Sequence, residues 1–226
     1  MKCVLKMGGH ILFSELNSAK IKRYAEVMEK IVNEGVKLVI VVGGGEKARE
    51  YIEVARTLNV DNFRTDIIGI EVTKLNAMLF SLALGEKAYF PIPTNLDEIL
   101  HLMQSNKKII VLGGLMPGQS TVAVAALIAE AINSDLLIIA TDVEGVYTAD
   151  PKKDPQAKLL EEIHIDQLIE MMSKMEAKAG TYKLFDLTSL KIIKRSKIRT
   201  VVVNGRKPEN IVKVIKGEKC GTLITF

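Results

Sequence analysis

Short runs of aliphatic residues alternate along this chain with longer stretches in which apolar residues recur every three or four positions. The first pattern fits strands and the second fits amphipathic helices. Cys3 to Met7 reads as a first strand. Ser18 to Glu34 reads as a helix whose Ile21, Tyr24, Ala25, Met28, Ile31 and Val32 share one face, with Gly35 as its stop. Lys37 to Val42 is an almost unbroken apolar strand, the mark of burial on both faces of a sheet. Glu46 to Leu58 and Phe63 to Leu84 read as helices, Lys108 to Leu112 as a strand, Thr121 to Ala131 as an Ala-rich helix and Leu136 to Ala140 as a strand. Asp142 to Lys158 is polar and turn-rich. Ile165 to Met172 and Phe185 to Ser196 read as helices, Thr200 to Val203 as a strand, Pro208 to Lys216 as a helix and Thr222 to Thr225 as a last strand. The alternation predicts an α/β fold with a mostly parallel sheet and helices on both faces. No internal repeat and no Ser/Gly-rich linker divides the 226 residues, so a single domain is expected.

The glycines sit where the strands end. Gly8 and Gly9 follow the first strand, Gly43, Gly44 and Gly45 the second, Gly113, Gly114 and Gly118 the third, and Gly145 the fourth, just after Thr141 and Asp142. In a parallel sheet these loops share the carboxyl edge, where open α/β sheets bind ligands. Glycine there lets backbone N–H groups come close to phosphate, and a following helix adds its dipole. One such loop is ordinary turn chemistry. Three converging loops point to a ligand with several anionic groups, such as a nucleotide plus a second phosphate. Lys6 stands at a strand end beside these glycines and suits neutralising a moving phosphoryl group. Arg49, one turn into the next helix, reads equally as a partner in that task or as a solvated cation.

Composition narrows the alternatives. The chain is 48% hydrophobic and 26% charged, which excludes a disordered chain. Its net charge of +4 is spread along the sequence, without the basic stripe and stacking aromatics of a nucleic-acid binder. No stretch nears the about 18 apolar residues of a membrane span, and a cytoplasmic protein is expected. Cys3 and Cys220 read as two buried, reduced thiols. A P-loop, a G-x-G-x-x-G opening a helix, protein-kinase signatures and a G-x-S-x-G elbow are all missing, and the three histidines lack metal-ligand spacing. Lys191, Lys194, Arg195 and Lys197 read as a solvated helix face, Met171, Met172 and Met175 as core or subunit contact, and Lys152-Lys153 as an exposed loop. His101 and His164 receive no role.

Taken together, LKMGGH from Leu5, VVGGGEKAREY from Val41, DIIGI from Asp66, GGLMPGQSTVAVAALIAE from Gly113, TDVEGVYTADPKKDPQAK from Thr141 and the closing GEKCGTLIT resemble the amino-acid-kinase superfamily. Within it they resemble the uridylate (UMP) kinases, with a compact length similar to the archaeal branch. The resemblance covers nearly the whole chain. It implies a three-layer αβα sandwich around a mostly parallel sheet of about eight strands. An acceptor and phosphate side would occupy about residues 1–133 and an ATP side about 134–226. It implies transfer of phosphoryl from ATP to UMP with Mg²⁺, in pyrimidine nucleotide biosynthesis, by a homohexamer built as a trimer of dimers. It places Lys6, Gly9, His10, Gly45 and Arg49 at the ATP phosphates, with Lys6 and Arg49 as the catalytic cations, and Thr141, Asp142, Tyr147 and Asp150 along the adenosine. Gly44, Asp66 and the run Gly114, Leu115, Met116, Pro117, Gly118, Gln119, Ser120 and Thr121 would hold UMP, with Asp66 on the ribose hydroxyls. His10 departs from the small residue or carboxylate of many relatives, and Val122 from their Asp. No carboxylate set is evident for the metal, which is expected on ATP phosphates and waters.

Two other readings remain. One keeps the fold and changes the acceptor, for instance to isopentenyl phosphate; Glu46, Lys47, Ala48 and Arg49 stand where that branch usually carries a histidine. The other is a non-catalytic nucleotide-binding regulator, which loss of the strand-end lysine would have favoured; Lys6 is present.

Overall fold

The computed structural model describes residues 1–104, 109–176 and 184–226. Within them the chain runs β1 (Lys2–Met7), α1 (Gly9–Leu12), α2 (Ser18–Asn33), β2 (Lys37–Val42), α3 (Gly45–Thr57), α4 (Asn62–Ala83), α5 (Leu96–Leu102), β3 (Ile109–Leu112), α6 (Thr121–Ala131) and β4 (Leu136–Thr141). It continues through β5 (Val146–Tyr147), β6 (Leu159–Leu160), β7 (Glu162–His164), α7 (Ile165–Glu176), α8 (Leu187–Ser196), β8 (Thr200–Asn204), α9 (Pro208–Ile215) and β9 (Thr222–Thr225). Side chains end the preceding loops and start several helices. Asn17, Asp61 and Asn95 each accept a hydrogen bond from the backbone N–H three residues on, at 2.9, 3.0 and 2.9 Å.

The main sheet has the order β3-β2-β1-β4-β8-β9-β7. The first five of these strands are mutually parallel, and β9 reverses direction against β8. A separate antiparallel pair joins β5 to β6. The alternation of side chains along a strand splits the core in two. Leu5, Ile40, Val111 and Ile138 face α2, the C-terminal half of α4 and α9. Val4, Val39, Ile110 and Ile139 face α5, α6, α7 and α8. The result is the expected helix–sheet–helix sandwich. Truncating a fully buried sheet residue such as Leu5 to Ala would cost about 2–5 kcal/mol.

The long strands and helices lie where the hydrophobic pattern puts them, within one or two residues, except α7, which runs to Glu176, four residues past the expected Met172. The seven strands of the main sheet are one fewer than the resemblance implies. The pattern missed α1, α5, β5, β6 and β7, because elements of two to seven residues are too short to show a period. Cys3 is buried as expected, whereas Cys220 is only half-buried, in the turn before β9; both are free thiols. Met172 is core, Lys194 and Arg195 make surface ion pairs with Asp166 and Glu130, and Lys108 and the Met175 side chain lie outside the described residues. No described helix is long and apolar enough to cross a membrane.

Candidate active site

Because β1, β2, β3, β4 and β8 are parallel, their carboxyl ends open on one edge. Neighbouring loops are stitched together there: Gly8 N donates to Ala140 O at 3.2 Å, Gly43 N to Met7 O at 2.9 Å, and Gly205 N to Thr141 O at 2.7 Å. The first two glycine loops touch. A Cβ on Gly9 would stand 2.0 Å from Gly45 N and 2.5 Å from Gly43 O, and Gly45 itself has φ +69°, so neither position has room or backbone freedom for a side chain.

The inner face of α4 organises the other loops. Asn76 Nδ2 donates to Gly43 O at 3.1 Å and to Gly44 O at 3.2 Å. Gly114 N donates to Thr73 Oγ1 at 2.6 Å, and Gly118 N donates to Asp66 Oδ2 at 2.7 Å. A cavity of about 180 Å³ opens between α3, α4 and this loop, lined by Ile52, Asp66, Ile70, Gly114, Gln119 and Thr121 among others. Gln119 Oε1 is buried without a hydrogen-bond partner among the described residues. Ser120 caps α6, accepting from Val122 N and Ala123 N at 3.2 and 3.0 Å, and its hydroxyl donates to Asp186 Oδ2 at 2.5 Å. A hydroxyl has one donor and two acceptor positions, and all three are used. Ser120 therefore has its backbone, not its hydroxyl, to offer a ligand.

On the other side of the edge lie Lys6, His10 and Asp142. Burial pushes the Lys6 ammonium down to about 8; Asp142 opposes that shift and Arg49 adds to it. Lys6 has no hydrogen-bond or ion-pair partner among the described residues, and Asp142 acts on it only at longer range. His10 Nε2 stands 3.3 Å from Asp142 Oδ1 without hydrogen-bond alignment. Burial also lowers the His10 pKa, against the pull of Asp142 and with Lys6, Arg49 and Lys152 adding to it, which leaves the imidazole neutral at pH 7. Burial raises the Asp142 pKa, but the Lys152 ammonium bonded to its Oδ2 and the nearby His10 hold it below the usual range. Lys152 and Lys153 are exposed turn residues, as the sequence suggests, and the Lys152 ammonium reaches from that loop to Asp142. Tyr147 lies in β5, and Asp150 Oδ1 accepts from Lys152 N at 3.0 Å, which shapes the turn. Arg49 is exposed on the first turn of α3.

No three His, Cys, Asp or Glu side chains among the described residues gather as a cation site. Asp142 is already faced by Lys152, His10 and Arg206. This donor set fits a divalent ion carried on nucleotide phosphates rather than one caged by protein.

Lys6, Gly9, His10, Gly45 and Asp142 lie on one side of this edge, and Asp66, Gly114, Met116, Gln119 and Thr121 line the cavity on the other, whereas Tyr147 sits in the separate β5–β6 pair. Thr73, Asn76 and Asp186 escaped notice. Thr73 and Asn76 follow Asp66 at helical spacing, and polar groups on a helix face that must be buried were the signal. Asn204-Gly205, a fifth glycine turn after a strand, was another.

A parallel sheet whose carboxyl edge gathers glycine loops, an unpaired lysine and a separate cavity defines a class of α/β phosphate-binding protein. The description of the amino acid kinase family matches residues 1–204, and the chain belongs to that family. It is 45% identical over 224 residues to the uridylate kinase of Methanobrevibacter smithii, covering 99% of each chain. The uridylate kinase of Sulfurisphaera tokodaii is 41% identical over 225 residues, again across 99% of each. A crystal structure of uridylate kinase from Archaeoglobus fulgidus superposes with a TM-score of 0.90 at 43% identity, covering 100% of both chains.

Proposed function

We infer that this chain is a UMP kinase that transfers the γ-phosphoryl group of ATP to the phosphate of UMP, giving ADP and UDP. The observation that carries the reading is the pairing, on one sheet edge, of the unpaired Lys6 with a cavity whose wall holds Asp66 and the Gly114 to Thr121 loop. Full-length likeness to uridylate kinases supports it.

In this reading residues 1–133 supply mainly the acceptor side and 134–226 mainly the ATP side. Lys6, Gly9, His10, Gly45 and Arg49 meet the ATP phosphates, and Thr141, Asp142, Tyr147 and Asp150 line the adenosine. Gly44, Asp66 and the loop from Gly114 to Thr121 hold UMP. Asp66 has one oxygen on Gly118 N, and the other accepts a ribose hydroxyl. The acceptor is already an anionic phosphate oxygen, so no general base is required. What limits the reaction is the crowding of two phosphates in line. Lys6, Arg49 and the loop amides offset that charge in place. The divalent ion is Mg²⁺, bound to the ATP phosphates and adding to the same neutralisation. The enzyme works in the cytoplasm as a homo-oligomer, a hexamer of three dimers, and the apolar outer face of α4 supports subunit contact.

The test is a coupled ADP-release assay with Mg-ATP and, in parallel, UMP, CMP, dUMP and isopentenyl phosphate. Turnover with UMP far above the rest is expected. Turnover with isopentenyl phosphate instead would keep the fold and overturn the acceptor assignment.

A further inference from the structure

The turn after β8 is also anchored at the carboxyl edge, by five hydrogen bonds. Gly205 N donates to Thr141 O at 2.7 Å, Tyr24 Oη donates to Gly205 O at 2.6 Å, and Asn210 Nδ2 donates to Asn204 O at 3.0 Å. The Asn204 side chain donates to Glu144 Oε1 at 2.8 Å and accepts from Arg206 N at 3.0 Å. A Cβ on Gly205 would stand 2.6 Å from Ile11 Cδ1 and 2.8 Å from Ala140 Cβ, so the turn is pressed against α1 and β4. This fixes the backbone of Arg206 beside the fourth-strand loop.

The Arg206 side chain is treated differently from its backbone. It is 62% exposed, and its Nη2 stands 3.6 Å from Asp142 Oδ2, on the carboxylate that Lys152 also holds. That distance is attractive but too long for a hydrogen bond, and no side-chain hydrogen bond of Arg206 forms among the described residues. A planar fork of five N–H donors is thus held, uncommitted, at the place where the edge carries its surplus of positive charge. Asp142 stands there against Lys6, Lys152 and Arg206, while Glu144 is taken up by Asn204 and stands 3.9 Å from Lys207 Nζ.

We propose that Arg206 is a donor-binding residue: its guanidinium, with Lys152 opposite, takes phosphate oxygens of the nucleoside triphosphate, which displace it from Asp142. Arginine suits this role because its fork matches two phosphate oxygens at once, whereas lysine offers a point charge. The proposal rests on the UMP kinase reading for the acceptor but not for the donor, and the two fail separately.

The experiment measures Mg-ATP binding without acceptor by calorimetry, and KM for ATP and UMP by ADP release, for the full chain and for Arg206→Ala, Arg206→Lys and Lys191→Ala. Lys191→Ala removes one exposed charge from α8, away from the edge. Arg206→Ala is expected to weaken Mg-ATP binding and raise KM for ATP by about ten- to hundredfold, the loss of a charged contact, with KM for UMP within about twofold. Arg206→Lys should recover part of the loss, and Lys191→Ala should change nothing. Unchanged ATP binding in Arg206→Ala, equal rises in both KM values, or a matching effect of Lys191→Ala would overturn the proposal. Weakened ATP binding in a protein that does not turn over UMP would overturn the acceptor assignment and leave Arg206 where it stands.

Discussion

Asp66 Oδ2 accepts the Gly118 amide hydrogen at 2.7 Å, across 52 positions of the chain. A helix side chain and the tip of a loop are joined by a charge-assisted bond, and one oxygen of the carboxylate remains for a ligand. Asp66→Ala should therefore raise KM for UMP by about ten- to hundredfold, because it removes both the ribose acceptor and a fixed point of the loop. KM for ATP should move much less. Initial rates at varied UMP and ATP decide this, and equal changes in the two would place Asp66 outside the acceptor site.

Lys6 combines burial with a missing partner. Lys6→Ala should lower kcat by roughly 10²–10³-fold with a smaller effect on KM, as expected for one preorganised charge contact. Its pKa near 8 also sets a pH limit. Only the ammonium neutralises phosphate, so kcat/KM for ATP should fall as pH rises past about 8. A profile flat to pH 10 would be inconsistent with Lys6 as the essential cation.

The same shift has a consequence for stability. Lys6 is lowered from 10.5 to about 8, so between those pH values the unfolded chain binds a proton that the folded chain has lost. Stability from this group therefore rises with pH across that window. Cys3 and Tyr24, both raised by burial to about 12, act oppositely at high pH. The difference between the wild-type chain and Lys6→Met cancels them. Lys6→Met should be the more stable protein at pH 7, and its advantage should vanish by about pH 10.5. Denaturant midpoints across pH measure it.

Gly9 has no space for a methyl group, and what it would strike is backbone. Gly9→Ala should cost on the order of 3 kcal/mol, or about 6–12 °C in Tm, and should abolish turnover by separating the first two glycine loops. A variant that melts normally and keeps its activity would show that these loops can part without harm.

The two faces of α4 have different tasks. Asp66, Thr73 and Asn76 look inward to the loops, while Leu75 and Leu82 on the outer face are 65% and 55% exposed. Phe63, Ile67, Met78 and Leu79 extend that apolar surface. Leu75→Glu combined with Leu82→Glu should shift the protein to a smaller species in light scattering while leaving its circular dichroism unchanged. A wild-type chain that is already monomeric would refute subunit contact through this face.

Much of the architecture is legible in the sequence. Strands such as Lys37–Val42 and helices such as Thr121–Ala131 announce themselves because periodicity and burial act on neighbours in sequence. Glycines after strand ends marked the functional edge for the same local reason. The pairs β5–β6 and β7–β9 were not legible, since two or three residues carry no period and their partners lie far along the chain.

The amino-acid sequence by itself determined the longer elements, the parallel α/β class and the residue types brought to the edge, because these follow from local pattern and backbone freedom. Only the tertiary structure decided which groups meet. Thr73 finds Gly114, Ser120 finds Asp186, Tyr24 finds Gly205 and Asp142 gathers Lys152, His10 and Arg206. These contacts depend on strand order and on helices closing over the sheet, and a hydrogen bond requires its two atoms within about 3 Å whatever their separation in sequence.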